Sequence, residues 1–148
     1  VRIRCTQNPS AGEEHLMGWH PENVPPADDP EKNILVVGGG PAGLEAAHTL
    51  ARRGYQVSIA DAGSEWGGRL VRERKMPRLS TWGRVVDYRV GQLQTMANVN
   101  MYLESKLTAE DVAGFEADHV IVASGAAWRR DGVGRNHDEP IPGCDLPH

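Results

Sequence analysis

Three glycines have the spacing of a phosphate-binding turn. Gly38, Gly40 and Gly43 follow the G-x-G-x-x-G pattern in NILVVGGGPAG, after an apolar strand and at the start of a predicted helix. The first glycine permits a tight turn, the second lets phosphates approach the backbone, and the third lets the helix pack closely on the strand. The helix N-terminus adds free N–H groups and a partial positive charge. The segment therefore predicts a nucleotide pyrophosphate site, which also includes Pro41 and Ala42 in the first helical turn.

A carboxylate stands where such a site binds a ribose. Asp61 ends the predicted second strand, at the distance beyond the glycines that this motif requires. It can accept hydrogen bonds from both hydroxyls of an adenosine ribose, and its charge repels a ribose phosphate, which argues against NADP. We expect Asp61→Ala to weaken ADP binding by about 1 to 3 kcal/mol. The alternative is a glycine turn that serves only helix packing, with Asp61 a solvated charge.

Two more glycine segments resemble contacts of dinucleotide sites. The segments EWGGR and ASG are similar to the E-x-G-G and A-T-G segments of the FAD- and NAD-linked disulfide reductase and amine oxidase superfamily. This resemblance implies that Gly68, Arg69, Ser124 and Gly125 contact the dinucleotide a second time. The alternative is a pair of glycine turns without a ligand, with Arg69 a surface charge.

Strands and helices alternate around these motifs. Apolar runs predict strands over residues 34–37, 56–60, 100–103 and 119–123. A helix is predicted from Pro41 to a C-cap at Gly54, a long amphipathic helix over 81–98, and a short helix after a capping box of Thr108 and Asp111. On the apolar face of the long helix we place Trp82, Val85, Val86, Val90, Leu93, Met96 and Ala97. The alternation predicts an α/β fold with a doubly wound, Rossmann-like parallel sheet and right-handed crossovers.

The chain is expected to have three parts. Residues 1–32 form an irregular segment and a proline-rich linker, 33–128 the Rossmann-like domain, and 129–148 an irregular tail. Because the chain begins with Val1 rather than Met, it is expected to be a piece of a longer protein.

Charge and hydropathy exclude several classes of function. The net charge is −4, with 16 basic and 20 acidic residues mixed along the chain, so nucleic acid is not an expected partner. No apolar stretch is long enough for a membrane span or a signal peptide, and we expect a cytoplasmic protein. The two cysteines, Cys5 and Cys144, form no disulfide framework, and Cys144 is expected to be a surface thiol.

Four segments together identify a more specific resemblance. They are CTQNPSAGEEHLMGWHPE, NILVVGGGPAG, EWGGRL and VIVASGAAW. These segments resemble the iron-sulfur flavoproteins typified by trimethylamine dehydrogenase, which include dimethylamine dehydrogenase, histamine dehydrogenase and 2,4-dienoyl-CoA reductase. The last part, AAWRRDGVGRNHDEPIPG, is more similar to the amine dehydrogenases, histamine dehydrogenase in particular, than to the reductase.

The resemblance implies which cofactors the parent protein holds. Members of this family carry FMN in an N-terminal barrel, then a [4Fe-4S] cluster, then a module similar to FAD-linked reductases. Cys5 matches the last of four cluster cysteines, and the others are expected upstream, so this chain is not expected to complete the cluster. In the amine dehydrogenases ADP fills the nucleotide site, whereas in the reductase FAD does. The glycines of the first motif, Asp61, Gly68 and Arg69 carry over in either case, so both nucleotides stay open.

The resemblance also implies partners. An electron-transfer flavoprotein is expected to dock in the region of Tyr88, and the parent is expected to be a homodimer. The alternative for Tyr88 is a half-buried helix tyrosine. His20, in the W-H-P-E turn, is expected to form structural hydrogen bonds, and the other histidines (His15, His48, His119, His137, His148) lack the spacing of metal ligands.

Three functions follow for the chain. The first is the nucleotide-binding part of an amine dehydrogenase that passes electrons from an amine through FMN and the cluster to the flavoprotein. The second is the FAD-binding part of an NAD(P)H-dependent enzyme similar to 2,4-dienoyl-CoA reductase. The third is a nucleotide-binding module without chemistry. No catalytic residue is identified in the chain, so catalysis is expected in other regions of the parent.

Overall fold

The computed structural model describes residues 24–127 and 129–144, together with Cys5, Gln7, Asn8, Ala11 and Gly12. Three histidines named above, His15, His20 and His148, lie outside the described part of the chain. The hypothesis for His20 therefore stays a prediction, as do the three predicted parts of the chain.

Four parallel strands form one sheet in the order β3-β2-β1-β4. They span Asn33–Val37 (β1), Gln56–Ala60 (β2), Val99–Tyr102 (β3) and His119–Val122 (β4). Val36 in β1 is in register with Ile59 in β2 and with Ile121 in β4. The predicted α/β fold with a Rossmann-like parallel sheet is confirmed.

The strand order reverses direction at β1. The chain moves outward from β1 to β2 and β3, and then returns across the sheet to place β4 on the other side of β1. Ligands of open parallel sheets bind beyond the carboxyl ends of the strands at such a switch point. The fold therefore directs attention to the ends of β1 and β4.

The first helix, α1, spans Pro41–Arg53 and confirms the predicted start and end. Pro41 occupies the first turn, and Gly54 adopts a left-handed conformation with φ of 106°. The linker contacts this end, because the N–H of Ala27 donates to the carbonyl oxygen of Arg53 over 2.7 Å. The contact satisfies one of the carbonyls that a helix leaves open at its C-terminus.

The long helix predicted over 81–98 is wrong at both ends. The structure has a 3-10 turn at Ser80–Gly83 and then a helix over Arg84–Gln94. The tighter 3-10 turn changes the direction of the side chains, so Trp82 is 44% exposed rather than on the apolar face. At the other end, Ala97 is exposed, and the side chain of Asn98 donates to the carbonyl oxygens of Ala51 and Tyr55, which directs the chain into β3.

Two short helices complete the fold. Helix α2, Leu70–Glu73, has no counterpart in the prediction, and the helix at Arg84–Gln94 is therefore α3. Helix α4 spans Ala109–Gly114 and begins with the predicted capping box of Thr108 and Asp111.

The core lies between one face of the sheet and helices α1 and α3. Its fully buried side chains include Val36, Val57 and Ile59 from the strands, with Leu44 from α1 and Leu93 from α3. Strand β4 is at the edge of the sheet, and Val122 there is 72% exposed. Burial of one side of α1 therefore holds this helix, which begins at the glycine turn, against the sheet.

Candidate functional site

A cleft of about 880 Å³ lies at the ends of β1, β2 and β4. All of the predicted nucleotide contacts except Gly43 line it: Gly38, Gly40, Pro41, Ala42, Asp61, Gly68, Arg69, Ser124 and Gly125. Its position is that of the switch point between β1 and β4. Residues far apart in sequence thus meet in one place, and their roles as ligand contacts stay predictions.

Gly38 and Gly43 are required by the packing of the turn. Gly38 has φ of +113°, and a Cβ there would lie less than 3.0 Å from the carbonyl oxygen of Ala123. A Cβ on Gly43 would overlap the carbonyl oxygen of Gly38. The turn therefore joins β1, α1 and the end of β4 through backbone contacts that leave no room for side chains.

Gly40 has a different environment. It is the N-cap of α1 with φ of −73° and ψ of 178°, a conformation that any residue adopts. A Cβ built on it has no described atom of the chain within 4 Å. Neither strain nor packing against the described residues accounts for glycine here, so the predicted close approach of a phosphate to the backbone stays open as its reason.

The sequence analysis assigned no role to Gly39, which the structure places at the centre of the loop. A Cβ on Gly39 would overlap the indole ring of Trp66. Its N–H donates to Oδ2 of Asp61, and its carbonyl oxygen accepts from the N–H of Gly67 over 2.8 Å. The middle glycine of the GGG run, at a position that the motif leaves unspecified, was a signal that could have indicated this crowding.

Asp61 has two structural hydrogen bonds in addition to its predicted role. Besides the Gly39 bond, Oδ1 accepts from the N–H of Gly63 over 2.7 Å. Each carboxylate oxygen can accept more than one hydrogen bond, so both remain able to accept a ribose hydroxyl. The structure thus holds the Asp61 carboxylate in a fixed orientation at the wall of the cleft.

The EWGGR segment packs directly on the first loop. Gly67 and Gly68 have φ of +124° and +54°, and a Cβ on Gly68 would meet the Cα of Gly40 at 3.3 Å. Arg69 lines the cleft and also forms an ion pair of 2.5 Å with Glu73, with its side chain 51% exposed. Both hypotheses for Arg69, phosphate contact and surface charge, are compatible with this position.

Several residues of the cleft were not predicted from the sequence. They are Leu70, Arg72, Ala123, Ala126, Ala127 and Arg130. The apolar members carry no chemical signal in the sequence. Arg130 lies close to the ASG segment, but the sequence has adjacent arginines there, and only the structure shows that Arg129 pairs with Asp131 while Arg130 lines the cleft.

A second group of residues joins the Cys5 segment to the helices. Arg89 is buried, forms an ion pair with Glu45 on α1, and donates to the carbonyl oxygen of Gln7 over 3.0 Å. The N–H of Gln7 lies 3.4 Å from the Cys5 sulfur. Backbone hydrogen bonds from Gln7 and then Asn8 lower the pKa of the exposed Cys5 thiol.

The described residues do not form an iron-sulfur site on their own. A [4Fe-4S] cluster needs four ligands, and Cys5 supplies one. Within the described ranges, no group of three or more His, Cys, Asp or Glu side chains is arranged to hold a metal ion. The role of Cys5 as a cluster ligand stays a prediction. Cys144, expected at the surface, is partly buried.

Tyr88 is more exposed than the alternative interpretation, a half-buried helix tyrosine, predicted. It lies on α3 next to Arg89, and 58% of its surface is exposed, so the half-buried alternative is wrong. The His48 ring packs edge-on against it, with 5.9 Å between ring centroids. The role of Tyr88 in docking a partner stays a prediction.

His48 is buried without a hydrogen bond to Nε2 from any described residue. Burial lowers the pKa of His48 below 6.5, Glu45 raises it, and the charges of Arg52 and Arg89 lower it further. Because the folded form resists protonation, the unfolded chain takes up a proton first as the pH falls. The neutral imidazole therefore contributes stability above about pH 6.5.

We expect the free energy of unfolding to decrease as the pH falls below 6.5. The slope from His48 is limited to about 1.4 kcal/mol per pH unit. Urea unfolding at pH 7.5 and 5.5 measures it, and His48→Leu should reduce the pH dependence. His119→Gln, at an exposed histidine, is the control. An unchanged pH dependence in His48→Leu contradicts the prediction.

The comparison with known proteins decides the family. The family model of pyridine nucleotide-disulphide oxidoreductases matches residues 32–143. The chain belongs to this family. The match includes the complete sheet and every residue of the cleft, which supports nucleotide or flavin binding by this pyridine nucleotide-disulphide oxidoreductase domain.

Similar proteins also include amine-oxidising enzymes. Dimethylamine dehydrogenase of Hyphomicrobium sp. (strain x) is 41% identical over 155 aligned positions, covering 100% of this chain and 21% of that protein. The structure of 6-hydroxypseudooxynicotine amine oxidase from Pseudomonas geniculata N1 has 83% identity and a TM-score of 0.94, covering 99% of this chain and 22% of that one. Histamine dehydrogenase from Rhizobium sp. 4-9 has 55% identity and a TM-score of 0.87, covering 94% and 21%.

These relatives confirm the resemblance to the family of dimethylamine and histamine dehydrogenases. All three are oxidoreductases by name. The chain spans about a fifth of the length of each relative. In the described part of the chain, no helix has the length and apolar character that crossing a membrane requires.

Proposed function

We propose that this chain is the nucleotide-binding part of an amine-oxidising oxidoreductase and that its cleft binds ADP or the ADP half of FAD. The observation that carries this proposal is Gly40, which lines the cleft and whose Cβ position is open, so that no packing against the described residues requires a glycine there. Three relatives that align with 94% to 100% of the chain are amine dehydrogenases or an amine oxidase.

Each part of the cleft has a task in this proposal. The N–H groups of the turn and of the first turn of α1 bind the pyrophosphate, with the helix dipole favouring its negative charge. The carboxylate of Asp61 accepts hydrogen bonds from the ribose hydroxyls. The small residues that follow β4, Ser124 and Gly125, also line the cleft and leave space for the ligand. Bound ADP supplies no redox chemistry. In this proposal the chain therefore binds ADP as a structural element and helps to shape the surface at which the electron acceptor docks.

The rest of the proposal concerns the parent protein. In this proposal the parent protein oxidises an amine with FMN and a [4Fe-4S] cluster, whose ligands include Cys5. It then delivers the electrons to an electron-transfer flavoprotein. The exposed ring of Tyr88 is the proposed contact for this partner, and its support comes from the arrangement in which Arg89 fixes the Cys5 segment beside the same helix. A homodimer in the cytoplasm is proposed for the parent.

Titration calorimetry of the purified chain with ADP and with FAD tests the nucleotide site. We expect ADP to bind without the visible absorption of a flavin. Tight binding of FAD with a bound flavin spectrum favours the reductase-like alternative. A folded chain that binds neither nucleotide contradicts the proposal.

Asp61→Asn is expected to weaken ADP binding by about 1 to 3 kcal/mol, because one ribose hydroxyl loses a charged acceptor. Asparagine also replaces one acceptor of the Gly39 and Gly63 N–H groups with a donor. Thermal unfolding must therefore be measured beside calorimetry, and Asp118→Asn, which changes an exposed carboxylate that accepts from the N–H of Asn33, is the control. Equal affinities for ADP in Asp61→Asn and in the unchanged chain remove Asp61 from the ribose role.

A further inference from the structure

We propose that Arg130, assisted by Arg72, makes the cleft select a nucleoside diphosphate with a free terminal phosphate over a dinucleotide that contains the same pyrophosphate as a diester. This inference rests on the proposed nucleotide site and deepens it. It distinguishes ADP from FAD by the charge of the cleft, which the glycine motif does not do.

The charged side chains that line the cleft have an excess of positive charge. One acid, Asp61, lines it together with three arginines, Arg69, Arg72 and Arg130. The ion pair with Glu73 offsets the charge of Arg69. Within the described ranges 24–127 and 129–144, no carboxylate forms an ion pair with Arg72 or Arg130. Two positive charges in the cleft thus have no carboxylate partner among the described residues.

The two arginines reach the cleft from different segments of the chain. Arg72 belongs to α2, which follows the EWGGR segment, whereas Arg130 follows the segment that leaves β4. The carboxylate that is proposed to bind the ribose, Asp61, comes from a third segment, directly after β2. Both arginines line the same cleft as Gly38 and Gly40 of the pyrophosphate turn.

The charge of the ligand decides what these cations recognise. A pyrophosphate diester, as in FAD, carries two negative charges, and the loop N–H groups and the helix dipole already favour them. A free terminal phosphate carries an additional charge near pH 7, because its second pKa is about 6. Guanidinium groups match phosphate oxygens with two parallel hydrogen bonds. An arginine without a carboxylate partner among the described residues thus recognises the additional negative charge of the terminal phosphate.

The wall near Arg130 supports the same conclusion. Ala123, Gly125, Ala126 and Ala127 offer only backbone and methyl groups. Of the described residues that line the cleft, none is aromatic. A flavin ring therefore finds no stacking partner on the described walls, whereas a terminal phosphate finds Arg130.

ADP and ADP-ribose give a direct test, because both contain the adenosine diphosphate group but only ADP has a free terminal phosphate. Calorimetry measures both affinities for the unchanged chain and for Arg130→Gln and Arg72→Gln. The matched control is Arg135→Gln, an exposed arginine that does not line the cleft. Thermal unfolding confirms that each variant is folded, which we expect because Arg130 is exposed.

We expect the unchanged chain to bind ADP about tenfold more tightly than ADP-ribose, and Arg130→Gln to lose most of this preference by weakening ADP binding alone. Arg72→Gln should have a smaller effect in the same direction, and Arg135→Gln none. Equal losses for both ligands in Arg130→Gln, or no preference in the unchanged chain, overturn the inference but leave the proposed function intact. Failure of the unchanged chain to bind either ligand overturns both.

Discussion

Replacement of Gly43 with alanine is expected to destabilise the domain strongly. The new Cβ would overlap the carbonyl oxygen of Gly38 and lie 3.0 Å from its carbonyl carbon. Backbone atoms cannot rotate away as a side chain can, and Gly38 is itself packed against the carbonyl group of Ala123. Relief of the overlap requires α1 to move away from β1, which separates Leu44 and Ala47 from the core.

The cost should be roughly 3 kcal/mol or more, at the upper end of what overpacking causes. That is a large part of the 5 to 15 kcal/mol that stabilises a typical domain. Urea unfolding followed by circular dichroism measures it. Gly91→Ala is the matched control, because Gly91 lies in α3 with open space at its Cβ position and alanine favours helix there by up to about 1 kcal/mol. A Gly43→Ala chain as stable as the control contradicts the packing role.

Replacement of Gly40 with alanine is expected to retain the fold and to weaken nucleotide binding. Alanine adopts the φ and ψ of Gly40 without strain, and its Cβ meets no described atom within 4 Å. Alanine restricts the unfolded chain, which stabilises a protein by about 0.4 to 1 kcal/mol, but it is a poorer N-cap than glycine, so we expect little net change in stability. The methyl group, however, enters the cleft where the pyrophosphate must approach the backbone.

The loss of affinity for ADP should be tenfold to about a hundredfold, the value of one charge-assisted hydrogen bond to the backbone. Calorimetry and thermal unfolding of the same sample separate the two effects. Gly114→Ala, also at an open Cβ position but remote from the cleft lining, is the control for a general effect of added methyl groups. Unchanged ADP affinity in Gly40→Ala supports the alternative in which the glycine turn serves packing alone.

The comparison of these glycines shows why some expectations from the sequence were correct. The roles of the first and third glycines follow from the geometry of a strand–turn–helix unit, which is local. The C-cap at Gly54 and the capping box at Thr108 are also local, since each depends on residues within a few positions. The parallel strands could be predicted because each is a short apolar run between turn residues.

The errors have a common cause in long-range contacts. The helix over 81–98 was predicted from apolar spacing, but Arg74 packs on Gly83 and the chain enters α3 through a 3-10 turn. Gly39 was missed because its neighbours, Trp66 and the Asp61 carboxylate, are distant in sequence. The exposed state of Tyr88 depends on how α3 packs on α1 and not on the tyrosine itself.

The sequence by itself determined the Rossmann-like order of elements, the glycine turn between β1 and α1 and the family resemblance, because strand periodicity, glycine spacing and helix caps are properties of neighbouring residues. Only the tertiary structure decided that Gly40 is open to the cleft, that Arg89 fixes the Cys5 segment on α1 and α3, and that Arg130 rather than Arg129 lines the cleft. Those features arise where separate segments meet, and the sheet topology determines that meeting point by placing β4 beside β1.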